Sequence, residues 1–264
     1  MPGASSWPSA RNPAEPVPAH PYPGCVYLEN IVFDAVDPQL LGRFWESALG
    51  TETLTDEPEG YETRLAVPGG PEIDLCFQRV PEPPSGAQRL HLDLRGGEGQ
   101  QELVDRLLGL GARHADIGQG DVPWVVLADP AGSSFCVLEE RASYAGTGPL
   151  AALPLDVADP EREHAFWRWL TGWIPVAGSG LLGLQHPSGR GPLLEMSPEA
   201  QPKGAAKNPI HLDLRLEPGD DTDEVARGIA ERGGRELHFD WGDLPWRHFA
   251  DPSGNEFCVL ASRG

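Results

Sequence analysis

Residues 91–95 read His-Leu-Asp-Leu-Arg, a strict alternation of polar and apolar positions. A period of two is that of a β-strand with one buried face, so Leu92 and Leu94 turn toward a core while His91, Asp93 and Arg95 turn toward water or a cleft. A period near 3.6 takes over at 38–49, where Leu40, Leu41, Phe44, Ala48 and Leu49 share one side of a helix. Asp37 stands at its N-cap position, Pro38 at its first turn and Gly50 just past its end. Around this helix lie strand-like runs: CVYLENIVFDA before it, then ETRLAV and EIDLCFQ with a turn at PGGP. After HLDLR the pattern predicts a second helix over about 99–110, ending at Gly111, and two strands, PWVVLA and SFCVLE, joined at an Asp-Pro-x-Gly turn.

The same order then recurs. Asp37-Pro38 returns as Asp159-Pro160, Phe44-Trp45 as Phe166-Trp167, Pro123-Trp124 as Pro245-Trp246, Asp129-Pro130 as Asp251-Pro252, and FCVL at 135–138 again at 257–260, each 122 residues on. HLDLR itself returns at 211–215, 120 residues on. In-order matches at nearly one offset define a tandem duplication. The expected organisation is a Pro-rich extended or disordered tail at 1–24, a first domain at 25–141, a linker at 142–149 and a second domain at 150–264. In the second copy the helix after Asp159 is expected to bury Phe166, Trp169 and Leu170 and to end at Gly172, and a further helix is expected at 221–232, ending at Gly233. Each copy holds two βαβββ-like halves, so the expected class is α+β, with helices covering one face of each sheet.

Composition narrows the partners. Forty acidic against 20 basic residues leave a net charge of −20. Such a field repels phosphate backbones and anionic lipid surfaces, so neither nucleic acid nor membrane is an expected partner. There is no apolar run of about 18 residues for a membrane helix, and the N-terminus lacks the charged-then-apolar pattern of a secretory leader. The four cysteines, Cys25, Cys76, Cys136 and Cys258, form no CxxC pair; a reducing cytoplasm suits them.

Taken together, a strand, DPxxxxxFWxxxLG, xHLDL, a Gly-ended helix and a closing DPxGNEFCVL resemble the vicinal oxygen chelate superfamily, which includes glyoxalase I, bleomycin-resistance proteins and extradiol dioxygenases, and most of all its actinobacterial glyoxalase-like domains. The resemblance covers about 26–264. It implies paired βαβββ modules forming half-open curved sheets with helices outside, a cleft for a small oxygenated molecule, and a divalent metal (Zn, Ni, Mn or Fe) held from four strand positions. It also implies that the two domains pack on each other as an intrachain pseudo-dimer.

Carried over one position at a time, the first-strand ligand falls on Asn30 and Ala152. The ligand late in the first half falls on Asp74 or Gln78, with Gly191 and Glu195 in the second copy. The third falls on His91 and His211, and the last, where a carboxylate is usual, on Cys136 and Cys258. A metal in the first copy would therefore use Asn30, Asp74 or Gln78, His91 and Cys136, and the site is incomplete. Bland readings stand beside these: an imidazole paired with Asp93, a buried cysteine acting as a small hydrophobe, a tryptophan as packing. Two functions follow. One is an enzyme of lyase, isomerase or dioxygenase type, with His91 as metal ligand or general acid/base beside Asp93. The other is a non-catalytic binder that sequesters an antibiotic-like, perhaps aromatic and cationic, molecule against Trp124 or Trp246. Glu195, His211, Asp213, Trp246 and Cys258 are the matching candidates of the second copy.

Overall fold

The computed structural model describes residues 26–177, 180–239, 242 and 244–263; the Pro-rich segment 1–24 and Cys25 lie outside them. The first repeat runs β1 (Val26–Ala35), α1 (Pro38–Leu49), β2 (Glu52–Glu57), β3 (Gly60–Ala66), β4 (Glu72–Arg79), β5 (Asp93–Gly97), α2 (Gln100–Gly109), β6 (Arg113–His114), β7 (Val125–Ala128) and β8 (Ser134–Glu139). A short 3-10 helix follows at Ala142–Tyr144. The second repeat runs β9 (Leu150–Val157), α3 (Pro160–Thr171), β10 (Ile174–Val176), β11 (Leu182–Gln185), β12 (Leu193–Pro198), β13 (Ile210–Leu216), α4 (Thr222–Glu231), β14 (Arg235–Leu237), β15 (Trp246–Ala250) and β16 (Glu256–Leu260).

Local chemistry sets the helix ends. The Asp37 carboxylate accepts from the Leu40 amide and that of Asp159 from the Arg162 amide, each satisfying an otherwise orphaned N–H. Gly50 and Gly172 close α1 and α3 at φ +67, a left-handed conformation that glycine adopts without strain. Two expectations about the helix faces need correcting. Leu40 is 56% exposed, and Trp169 is only half-buried, under the Arg232 guanidinium. Phe166 and Leu170 are buried as expected, and the largest side chains the two helices bury are Trp45 and Trp167. The reason is a second packing surface. Trp45 lies against Phe33 of β1 and also against Phe135 of β8, with ring centroids 5.8 and 5.1 Å away, so the buried stripe is shifted toward β8.

Among the described residues sixteen strands form two open, mixed, eight-stranded sheets. The first has the order β14-β15-β16-β13-β1-β4-β3-β2, the second β10-β11-β12-β9-β5-β8-β7-β6. Each sheet therefore joins a half of one repeat to a half of the other. The joins are antiparallel: β1 on β13, with Asn30 opposite Asp213 and Val32 opposite His211, and β5 on β9, with Asp93 opposite Ala152.

Within each repeat the two halves sit in different sheets, and side chains hold them together. The Trp45 indole N–H donates to the Asp129 carboxylate at 3.2 Å, and Trp167 to Asp251 at 3.4 Å. These aspartates open the Asp-Pro-x-Gly turns and also accept from turn amides. Burial pushes the Asp129 and Asp251 carboxyls up to about 6 against those hydrogen bonds. Burial, reinforced by the nearby Asp251, pushes Glu163 on α3 up to about 8. One Glu163 oxygen accepts from the Ser253 hydroxyl at 2.5 Å and the other is buried without a partner.

A carboxyl raised in the folded state favours folding while protonated, and that contribution fades as pH climbs from the unfolded to the folded value. For Glu163 the window runs from its ordinary value of 4.5 to about 8. Urea unfolding should accordingly show stability falling between about pH 6 and 8, above the range in which Asp129 and Asp251 titrate. Glu163→Gln should flatten the profile in that window; an unchanged slope would mean the Glu163 carboxyl is ionised in the folded protein.

Candidate metal and ligand site

One face of the first sheet belongs to the core. Ile31, Phe33, Ile73, Leu75, Phe77, Leu212, Leu214, Phe257 and Val259 are all buried in it. The period of two sends their neighbours to the opposite face. There the strand register lines up one polar row: His248 opposite Cys258, Cys258 beside Asp213, Asp213 opposite Asn30, Asn30 beside Asp74, and Asp74 opposite Arg64. The equivalent row of the second sheet reads Val126, Cys136, Asp93, Ala152, Leu193 and Gln185.

This placement revises the expected grouping. Asn30, Asp74 and Gln78 do not face His91 and Cys136. Because β1 pairs with β13 and not with β5, they share a face with His211, Asp213 and Cys258 of the other repeat. His91, Asp93 and Cys136 are instead grouped with Glu195 on the second sheet. Asp74 is also committed elsewhere. Its two oxygens accept from Arg64 Nε and Nη2 at 2.7 Å each, and its side chain is fully buried. Gln78 donates to Asp34, whose carboxylate also holds Lys207 Nζ at 2.7 Å.

Two triads of possible ligands converge, His211–Asp213–Cys258 and His91–Asp93–Cys136, each offering donor atoms within 4.8 Å of one another. Their internal chemistry differs. In the second sheet His91 Nδ1 lies 3.2 Å from Asp93 Oδ1 in a hydrogen bond. Burial opposes charge on that imidazole, but Asp93, with Asp156 and Glu195 behind it, outweighs burial and raises its pKa. In the first sheet His211 Nε2 is 3.4 Å from Asp213 Oδ1, close enough for charge attraction without hydrogen-bond geometry. His211 Nδ1 and Asp213 Oδ1 are buried with no hydrogen-bond partner, while Asp213 Oδ2 accepts from the Asn30 amide at 3.3 Å. Burial works against the Asp213 carboxylate, yet His211, the Cys258 thiol and Asn30 together bring its pKa down. Burial, then the adjacent carboxylate, pushes the Cys258 and Cys136 thiols up, so both are neutral by themselves.

The second cleft is filled by the protein itself. Tyr144, from the 3-10 helix of the linker, packs with Val126, Cys136, Leu138, Ala152 and Leu193, and Trp124 borders the same cluster. The Tyr144 hydroxyl donates to Glu195 at 3.2 Å, and Arg141 lies 5.6 Å over the Trp124 ring. Glu195 and Trp124 thus serve this packing. On the first sheet the counterpart positions Cys76, His248 and Leu260 are half-buried, whereas Glu195, Val126 and Leu138 are buried. Trp246 donates from its indole to His248 Nε2 at 3.2 Å, and the Phe239 ring stands edge-on to His248 at 5.1 Å. Burial, then His211, lowers the His248 pKa, so this imidazole is neutral.

Cys76, Glu62, His248 and Tyr144 are residues the sequence reading passed over. Cys76 had a signal: in EIDLCFQ it alternates with Leu75 and Phe77 and lies between Asp74 and Gln78. It donates to Glu62, whose carboxyl is raised by burial and by Asp74. Tyr144 had none, because nothing in a linker sequence says which cleft it enters.

A fold of paired βαβββ modules, with possible ligand side chains converging on a sheet face, is that of the vicinal oxygen chelate class. The chain belongs to the glyoxalase-like domain family, whose sequence model matches residues 30–138 and again 152–260. Among solved structures it is similar to glyoxalase I from Zea mays, with a TM-score of 0.62 at 17% identity over 89% of this chain and 92% of that one. It is also similar to a suggested dioxygenase from Bacillus subtilis subsp. subtilis strain 168, with a TM-score of 0.60 at 16% identity over 92% and 87%. At such identities the likeness is one of fold. A search of curated proteins returns no relative. Among the described residues no helix is long and apolar enough to cross a membrane.

If Tyr144 is the packed floor of the second cleft, Tyr144→Phe should lower stability by about 1 kcal/mol through its lost hydrogen bond. Tyr144→Ala should lower it by about 3–5 kcal/mol by opening a cavity. Urea denaturation measures both; equal small losses would place the ring outside the packed cluster.

Proposed function

We propose that this protein binds a small oxygenated molecule in the cleft of the first sheet, with a thiophilic divalent ion as its anchor at His211, Asp213 and Cys258. One observation carries the reading. Two buried polar atoms make no hydrogen bond, His211 Nδ1 and Asp213 Oδ1, the latter with only a 3.4 Å contact to His211 Nε2, in a cluster whose donor atoms lie within 4.8 Å of one another. Buried polar groups are normally satisfied, and orphans in a converging donor set point to an absent partner. The donor set fits Zn2+ better than Mg2+ or Mn2+, because a thiolate and an imidazole are soft ligands. Three protein donors leave a further coordination place for an exchangeable oxygen.

Bound there, a zinc ion would polarise a ligand oxygen. The chain's own groups would do the rest. The Asn30 amide orients Asp213, Arg64 holds Asp74 away from the cluster, and neutral His248 with Trp246 forms a wall. The first-strand position offers only Asn30, whose amide nitrogen is directed at Asp213. That favours a binding protein over a four-ligand enzyme of the glyoxalase type. The second sheet, with its His–Asp pair satisfied and its cleft filled by Tyr144, is a structural copy of the site.

Purified protein should accordingly bind one equivalent of Zn2+. Cobalt substitution should give the thiolate-to-metal absorption of a Cys258 ligand, lost in Cys258→Ser. His211→Ala should abolish binding, and His91→Ala should leave it intact. Two equivalents, or loss of metal in His91→Ala with retention in His211→Ala, would overturn the assignment.

A further inference from the structure

The duplication places the same cleft in the molecule twice, and one copy is occupied. Tyr144 stands in the second cleft as a ligand would. Its ring lies among Val126, Cys136, Leu138, Ala152 and Leu193, and its hydroxyl reaches a buried carboxylate, Glu195. Arg141 reaches over both the Trp124 and Tyr144 rings, at 5.6 and 6.0 Å. A tyrosine side chain is p-cresol tethered by its methyl carbon, so the fold reveals what such a cleft accommodates.

The strand register transfers that imprint to the first sheet. Cys136 corresponds to Cys258, Ala152 to Asn30, Leu193 to Asp74, and Val126 to His248. Trp124 corresponds to Trp246, 122 residues on. Glu195, which pairs with β9 where Cys76 pairs with β1, is replaced by a thiol that donates to Glu62, so the buried carboxyl lies one strand further out. The aromatic content is higher than in the filled copy. His248 stands where Val126 stood, and it is flanked by the Trp246 indole and by the Phe239 ring, which is 40% exposed. Flat faces at this density suit a flat ligand, by offset and edge-on packing. Acidic groups facing the cleft, Glu62 and Asp213, favour a ligand that donates a hydrogen bond over one that carries negative charge.

We propose that the first-sheet cleft takes a single planar aromatic ring bearing a hydrogen-bond donor, a phenol-type ligand, held between the Trp246–His248 wall and the strand face of Asn30 and Cys258. The proposal rests on the reading that the first sheet carries the working cleft. His248, held neutral and accepting the Trp246 N–H at Nε2, keeps its proton on Nδ1. That makes it a wall of fixed tautomer, with its ring held by the Trp246 indole.

The probe is p-cresol, followed by calorimetry and ligand-observed NMR on the full chain, with and without one equivalent of Zn2+. Wild type should bind one equivalent. Trp246→Ala should weaken binding by about ten-fold or more, and 4-methylcyclohexanol, of similar size but puckered, should bind about ten-fold more weakly than p-cresol. Tyr144→Gly should gain a second equivalent by opening the filled copy. Tyr144→Gly combined with Trp246→Ala should bind one, which confirms that p-cresol fits a cleft of this build. Should the glycine variant fail to fold, wild type against Trp246→Ala decides. The proposal is overturned if wild type binds no p-cresol, if the puckered alcohol binds equally well, or if Trp246→Ala binds like wild type. Zinc bound normally by a protein that ignores p-cresol overturns the ligand class alone, whereas loss of the single zinc site is a failure of the metal reading.

Discussion

The antiparallel pairing of β1 with β13 and of β5 with β9 is the constraint from which the rest of the structure follows. A half-module of four strands has open edges and a single buried face. It gains by extending its sheet, since edge N–H and C=O groups are then paired. Here each half extends into a half of the other repeat. Neither repeat owns a complete sheet, and so neither owns a complete cleft. His211 comes from the second repeat and Asn30 from the first, yet they lie on adjacent strands. Each sheet, and the polar row on its face, is therefore built from both repeats.

A second set of contacts prevents the two sheets from drifting apart. Trp45 bridges Phe33 in one sheet to Phe135 in the other, and its N–H ends on Asp129; Trp167, Phe257 and Asp251 repeat the device. The division of labour is clear. Hydrogen-bonded strands join different repeats, and buried aromatic rings join the halves of one repeat. The aspartates are doubly used, capping a turn and receiving an indole, and their ionisation is opposed by the burial that makes the strut effective.

Much of this was legible in the sequence. Repetition at an offset of 122 exposed the duplication, and period-two alternation in HLDLR correctly sent Leu92, Leu94, Leu212 and Leu214 to the core. The caps at Asp37, Gly50, Asp159 and Gly172 fell where local chemistry put them. What stayed hidden was long-range. Alternation says which residues share a face of a strand, not which strand lies alongside. Asn30 was therefore grouped with His91, 61 positions away, when its neighbour across the seam is Asp213, 183 positions away. The same limit explains Trp45 and Leu40. A single amphipathic stripe was legible, but the second surface provided by Phe135 was not.

The contrast between the two clefts shows how duplication loosens the constraint on a site. Both keep His, Asp and Cys at equivalent positions, so the triad alone cannot be what distinguishes them. In the second sheet the histidine hydrogen-bonds its aspartate, alanine stands at the first-strand position, and the linker tyrosine turns the space into core. In the first sheet Asn30 draws the aspartate oxygen from the other side, and the His–Asp contact lengthens to 3.4 Å without hydrogen-bond geometry. The copies thus differ both in the amide on the neighbouring strand and in whether the His–Asp pair is hydrogen-bonded. A buried group with unmet hydrogen-bonding capacity costs stability of about 1–3 kcal/mol unless something supplies the partner. Between the two triads that cost falls on His211 and Asp213, near which His248, Trp246 and Phe239 stand outside the packed core. The second copy's pair is satisfied within the fold, while the first leaves His211 Nδ1 and Asp213 Oδ1 without hydrogen bonds.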